Sequence, residues 1–158
     1  MEKESVAEIL KANPWFAALS PPHFEKMTGL ATEMSWPAGQ TIFREGQQGD
    51  YMYLIIEGQV ALDIYAPNKG RLTILTLGAN EVFGWSAVVP YTQMRTAAAR
   101  TIKPTCAIAL DSAALRAACE ADHELGYLVY RRLTNIIAGR LTATRLQLLD
   151  VYGDGTGD

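Results

Sequence analysis

The chain has 158 residues, 49% of them hydrophobic and 20% charged, with a formal net charge of −3 and a pI near 5.4. That length supports one well-buried domain rather than two, and the acidic balance argues against a broad nucleic-acid surface, which needs clustered lysine and arginine. No apolar run is long enough to span a bilayer and the start Met-Glu-Lys-Glu-Ser lacks a basic then apolar leader, so a cytoplasmic protein without DNA or membrane contact is expected.

Val6, Ile9 and Leu10 stand at helical spacing in residues 5–12, and Asn13-Pro14 ends that segment by restricting the backbone before the proline. Ser20-Pro21-Pro22 opens a second short helix whose inner face carries Phe24, Met27 and Leu30. From Glu33 onward short apolar alternations are broken by Pro37-Ala38-Gly39, Glu45-Gly46, Gly49-Asp50, Gly58, Asn68-Lys69-Gly70 and Gly78. This is the texture of antiparallel strands in a jelly roll or sandwich. Gly39, Gly46, Gly49, Gly58 and Gly78 are expected to supply the positive backbone angles of its turns.

Two more strands, 96–102 and 105–111, flank a turn at Lys103-Pro104. Asp111 or Ser112 then caps a short helix through Glu120, and Asp122 caps a long one reaching about residue 150. The long helix carries two apolar stripes. Leu125, Val129, Leu133 and Ile136 suit packing against the barrel, whereas Ile137, Leu141, Thr144, Leu148 and Val151 follow the alternating four and three spacing of a coiled-coil seam. Residues 151–158, rich in glycine and acid, are expected to be disordered.

Cys106 falls on a strand and Cys119 on a helix, with neither pairing nor metal-ligand spacing. The histidines, His23 and His123, both lie outside the strands, and no serine or cysteine has a histidine and acid arranged around it. No catalytic residue, metal ligand or cofactor is therefore assigned. Residues 82–99 contain a different chemistry. A turn opened by Gly84 aims backbone N–H groups at one point, and Arg95 on the following strand brings a planar guanidinium towards it. A phosphate suits both.

Ala-Gly-Gln-Thr-Ile-Phe-Arg-Glu-Gly-Gln-Gln-Gly-Asp at 38–50, Tyr-Leu-Ile-Ile-Glu-Gly-Gln-Val-Ala-Leu at 53–62, Phe-Gly-Trp-Ser-Ala at 83–87 and Arg-Thr-Ala at 95–97 resemble the cyclic nucleotide-binding domain of the catabolite-activator and fumarate-nitrate-reduction regulators. The resemblance runs from about residue 15 to about residue 150. It implies an α+β fold, mainly β, in which a double-stranded β-helix or jelly-roll barrel at about 33–111 carries N-terminal helices and a long dimerisation helix at about 122–150. It further implies that 83–97 is a phosphate-binding cassette, with Arg95 and the N–H groups of Ser86, Ala87, Thr96 and Ala97 on a ligand phosphate and a hydroxyl from Thr96. Such regulators continue into a helix-turn-helix domain, and this chain is expected to be a stand-alone form that signals to an output protein.

The cassette departs from the family at one position. Members that bind cyclic AMP usually place glutamate after the cassette glycine, accepting from the ribose 2′-hydroxyl, and Trp85 stands there. Losing a hydrogen bond to an ionised acceptor costs roughly 1.5–3 kcal/mol, a factor of about 10 to 100 or more in affinity. Trp85 either stacks on a different ligand or fills the ribose space as core. Counted from the cassette, Arg140 and Leu141 fall where the family has small hydroxyl residues on the adenine, so Arg140 stacks on a base, binds a second anion or makes a surface ion pair. The expected ligand-binding set is Gly84, Trp85, Ser86, Ala87, Arg95, Thr96 and Ala97 with Arg140, Leu141 and Thr144. Its ligand would be a cyclic nucleotide or other phosphate-bearing effector, the alternative being a ligand-free protein–protein interaction module with a degenerate pocket that dimerises with itself or with full-length relatives.

Overall fold

The computed structural model describes residues 3–89 and 94–155, and side chains for 6–89 and 94–150. Three helices come first, α1 (Lys3–Lys11), α2 (Pro14–Ala17) and α3 (Pro21–Gly29), then the strands β1 (Ala31–Trp36), β2 (Thr41–Phe43), β3 (Tyr51–Glu57), β4 (Val60–Ala66), β5 (Gly70–Leu77) and β6 (Val82–Phe83). A single 3₁₀ turn, Trp85–Ala87, precedes β7 (Ala98–Thr101) and β8 (Thr105–Asp111), and α4 (Ser112–Ala121) and α5 (His123–Gly155) complete the chain. Asn13-Pro14 does end α1, but Asn13 also opens α2, because its side-chain oxygen accepts from the Trp15 N–H at 3.1 Å. Asp111 caps α4 through the Ala114 N–H at 2.8 Å, and Asp122 caps α5 through Glu124 and Leu125. The long helix runs to Gly155, beyond the expected end near 150, while 156–158 lie outside the described residues.

The strands form two four-stranded antiparallel sheets, β1-β8-β3-β6 and β2-β7-β4-β5. Side chains alternate across a strand, and in β3 and β8 both alternating sets are buried. Tyr53, Ile55, Ala107 and Ala109 face the second sheet inside the barrel with Phe43, Val60, Leu62 and Phe83. Met52, Leu54, Ile108 and Leu110 face outward into a second core closed by Val6 and Leu10 of α1, Met27 of α3 and Leu125, Val129 and Leu133 of α5. The stripe expected to pack α5 on the barrel does so. Of the seam stripe, Leu141 and Leu148 are 58% and 55% exposed, Ile137 and Thr144 are half-buried against the barrel, and the Val151 side chain lies outside the described residues.

Of the glycines assigned to turns, Gly39, Gly46 and Gly58 have positive φ. Gly49 and Gly78 do not. In the turn after β5 the left-handed residue is Asn80, with φ 70°, and Gly49 is required by close packing: a Cβ there would lie 2.4 Å from the Ala87 Cβ and 3.0 Å from the Arg95 Cζ. Gly58 is constrained twice, by φ +116° and by a virtual Cβ only 2.6 Å from the Thr105 Cα. Gly58→Ala is expected to destabilise the domain by about 3 kcal/mol or more, lowering a circular-dichroism melting midpoint by about 6–12 °C.

Cys119 is buried in α4. Burial, followed by the charges of Asp122 and Glu120, pushes its thiol up to about 11. The folded state therefore holds the proton more tightly than the unfolded chain, and stability is expected to fall as pH rises from about 9 towards 11. At pH 8 the thiol should react with Ellman's reagent only after denaturant is added.

Candidate functional site

Gly84, with φ 76°, turns the chain out of β6 into the 3₁₀ turn Trp85–Ala87. Opposite it, the backbone of Arg95 is fastened to the segment before β3: its N–H donates to Gln47 O at 2.8 Å, and its carbonyl accepts from Gly46 N at 2.8 Å. Between these two segments the Arg95 side chain is directed inward and is only 4% exposed. Its Nη1 donates to Gly84 O at 2.8 Å and its Nη2 to Tyr51 O at 2.7 Å. The guanidinium carbon lies 3.9 Å from the Phe43 ring centroid, a cation–π contact beside the stacked rings of Tyr53 and Phe83.

Two glycines make the slot that this guanidinium fills. A Cβ on Gly84 would lie 2.7 Å from Nη1, just as one on Gly49 would approach Cζ. Burial lowers the Arg95 pKa, opposed by Tyr53 and Asp50, and burial raises that of Tyr53 against the pull of Arg95. The Nε atom is buried without an acceptor among the described residues.

Two cavities adjoin the cassette. A small niche of about 20 Å³ is lined by Phe43, Leu62, Gly84, Trp85, Ser86, Thr96 and Ala97, room for about one water molecule. Next to it, a cavity of about 310 Å³ lies between barrel and α5, lined by Leu62, Ile74, Leu75, Trp85, Thr96, Ala97, Ile137, Arg140, Leu141 and Thr144. That volume is at the lower end of small-molecule sites. Trp85 is half-buried, packs against the helix-side core and forms part of the cavity wall. Arg140 crosses from α5 and donates from Nη2 to Val82 O at 2.5 Å, one residue before Phe83 in β6.

Eight of the ten expected site residues therefore border one cavity or the other. Arg95 and Ala87 border neither. The guanidinium was expected on the cavity wall but lies behind the Gly84 turn, held by two backbone carbonyls. The Ala87 N–H, expected to point at a phosphate, donates to Gly84 O at 3.3 Å because it closes the 3₁₀ turn, while Ala87 O accepts from Arg116. Sequence reasoning missed Leu62, Ile74, Leu75 and Ile137 as cavity walls and Phe43 and Tyr51 as partners of Arg95. The apolar alternation of the strands carrying Leu62 and Ile74 was visible; which strand lies beneath α5 was not, and Ile137 stands in the stripe expected to form the seam.

A wider groove of about 710 Å³ runs along α4 and α5, lined by residues including Cys119, His123, Tyr127, Tyr130 and Thr134. It shares no residue with the cassette. The smaller cavity is the better candidate site, because there a loop of turning backbone, an aromatic ring and a cation converge within apolar walls.

A jelly-roll barrel with a glycine-opened turn, a buried arginine and a cavity closed by a long helix defines a class of effector-binding regulatory domain. The chain belongs to the cyclic nucleotide-binding domain family, whose sequence profile matches residues 33–122. It is 32% identical over 145 residues to a CRP-like cAMP-activated global transcriptional regulator of Mycobacterium tuberculosis, covering 91% of this chain and 62% of that protein. It thus spans less than two thirds of that relative's length. Among solved structures it matches a cyclic nucleotide-binding domain from Methylobacillus flagellatus with TM-score 0.77 and 26% identity, over 94% of this chain and 83% of the other. The catabolite activator protein of Thermus thermophilus matches with TM-score 0.69 and 26% identity, over 88% and 63%. No helix among the described residues is long and apolar enough to cross a membrane.

Proposed function

We propose that this chain is a cytoplasmic sensor domain that binds a small phosphate-bearing effector in the cavity between barrel and α5, and signals to an output protein by changing how α5 packs in a homodimer. The observation that carries this reading is the 310 Å³ cavity itself, whose walls combine the cassette residues Trp85, Thr96 and Ala97 with Arg140, Leu141 and Thr144 of the long helix. A ligand touching both elements has a differential effect on any state in which they separate. Gly84, Ser86, Thr96 and Ala97 line the niche beside that cavity, which has to widen from about 20 Å³ to receive the phosphate, with the Arg95 guanidinium behind them supplying the positive field. The exposed side chains of Leu141, Leu146, Leu148 and Leu149 on α5 are suited to cover from a second copy.

Thermal denaturation tests this against cyclic AMP, cyclic GMP, a cyclic dinucleotide and a panel of phosphorylated metabolites. A true effector at about 100 times its Kd stabilises by about 2.7 kcal/mol, raising the midpoint by about 5–10 °C, and Ala97→Trp should abolish that rise by filling the cavity. A flat response to every member of the panel would overturn the reading. Sedimentation should give a dimer that Leu141→Glu with Leu148→Glu dissociates.

A second reading, an interaction module whose pocket no longer takes a ligand, has one observation in its favour. The niche is only about 20 Å³ and both terminal nitrogens of Arg95 are already engaged by backbone carbonyls. A dimer that forms normally and ignores the whole panel would establish it.

A further inference from the structure

Residues 125–149 of α5 contain four arginines and no acid, in a chain whose net charge is −3. Arg140 reaches the barrel, but Arg131, Arg132 and Arg145 are exposed, and among the described residues none of the three makes an ion pair or hydrogen bond through its side chain. Exposed leucines stand beside them. Leu141 and Leu148 lie in the seam stripe, whereas Leu146 and Leu149, 59% and 66% exposed, belong to another: Arg132, Asn135, Gly139, Thr142, Leu146 and Leu149 repeat at alternating spacings of three and four, and all are exposed. At about 100° per residue this stripe lies roughly 160° round α5 from the seam. Gly139 is at its centre. A glycine inside a helix costs stability relative to alanine, and Gly126 has a reason in its own chain, since a Cβ there would lie 2.7 Å from Cys119 O. A Cβ on Gly139 would meet nothing within 4 Å. The fold itself does not require glycine at this position; close approach by a second backbone does. Beside it a groove of about 340 Å³ separates α5 from the turn after β5, with Arg132, Asn135 and Gly139 on the helix wall and Glu81 as the acid on the barrel wall.

Resting on the reading of this chain as a sensor that signals to an output protein, we infer that the output protein docks an acidic amphipathic helix on this stripe. Its apolar side chains cover Leu146 and Leu149, its backbone approaches Gly139, and its carboxylates meet Arg131, Arg132 and Arg145. The leucines in the stripe favour a protein over a nucleic acid, whose phosphates would use the arginines and leave the leucines in water. The same helix lines the 310 Å³ cavity through Ile137, Leu141 and Thr144, so the partner grips the element whose inner side meets the effector.

Fluorescence anisotropy with the full chain tests the inference. The probe is a labelled peptide of about three Leu-Glu-Ala-Leu-Glu-Glu-Ala heptads, long enough for the roughly 26 Å between Arg132 and Leu149, and its counterpart has lysine at every glutamate. The acidic peptide should bind at least about tenfold more tightly than the basic one, with an affinity that falls as salt is added. Arg131→Gln, Arg132→Gln and Arg145→Gln together should remove that preference. Gly139→Leu should weaken the acidic peptide about tenfold while raising the melting midpoint, because leucine is the better helix former, and Leu148→Gln in the seam should leave its affinity within about twofold. Equal affinities for the two peptides, or binding that survives Gly139→Leu and is lost in Leu148→Gln, would overturn the inference. So would a dimer that dissociates on Gly139→Leu, which gives the stripe to a second copy, or a duplex DNA that binds through the three arginines while the acidic peptide does not. Peptide binding as expected with no thermal shift from any effector defeats the sensor reading and leaves the docking face standing; the reverse pattern defeats the docking face alone.

Discussion

Trp85→Glu should bind cyclic AMP about 10 to 100 times more tightly than the wild type in calorimetric titration. The substitution places a carboxylate one residue after Gly84, beside the niche and on the wall of the larger cavity. An ionised acceptor for a sugar hydroxyl is worth roughly 1.5–3 kcal/mol where an indole offers none. Removing the ring also enlarges the cavity, which favours entry of a ribose. Trp85→Gln, with a neutral acceptor, should recover only part of the gain. Unchanged cyclic AMP affinity in a folded Trp85→Glu would mean that Trp85 does not determine nucleotide selectivity.

Arg95→Leu should lower the melting midpoint by about 5–15 °C without any ligand present. The arginine is 4% exposed, and its loss removes the guanidinium donor from the Tyr51 carbonyl and leaves the Gly84 carbonyl with the 3.3 Å bond from the Ala87 N–H. Losing two buried charge-assisted hydrogen bonds costs about 2–4 kcal/mol, which gives that shift in a domain of this size. Lysine should rescue poorly, since one ammonium lacks the planar fork that reaches both carbonyls. A fully stable Arg95→Leu that loses only ligand binding would instead make the residue a ligand contact and nothing more.

This structural role for Arg95 marks the limit of what the sequence disclosed. The cassette was legible because its residue types are unusual together: a glycine turn, a hydroxyl, and an arginine and threonine before the run Ala97-Ala98-Ala99. The direction of the arginine was not, because its partners are backbone carbonyls, which every residue possesses. Gly49 gives the same lesson from the other side. In the sequence it looks like a turn glycine, yet its requirement comes from Ala87 and Arg95, distant in the chain and within 3.0 Å of where a Cβ would stand.

The strands and the two caps of the final helices were readable from period and chemistry, since alternation and side-chain capping are local. Burial of β3 on both faces was not local. It depends on α1, α3 and α5 covering the outer side of the first sheet, a consequence of topology. The same dependence explains why Ile137 and Thr144, at seam spacing on α5, line the cavity in this chain.

Backbone amide mapping by nuclear magnetic resonance, with the protein saturated in turn by cyclic AMP and by phenyl phosphate, most directly tests whether the cavity under α5 is the effector site. Shifts are expected to cluster at Gly84, Trp85, Thr96, Ala97, Arg140 and Thr144. Shifts confined to the groove around Cys119, Tyr127 and Tyr130, or none with either compound, would contradict it.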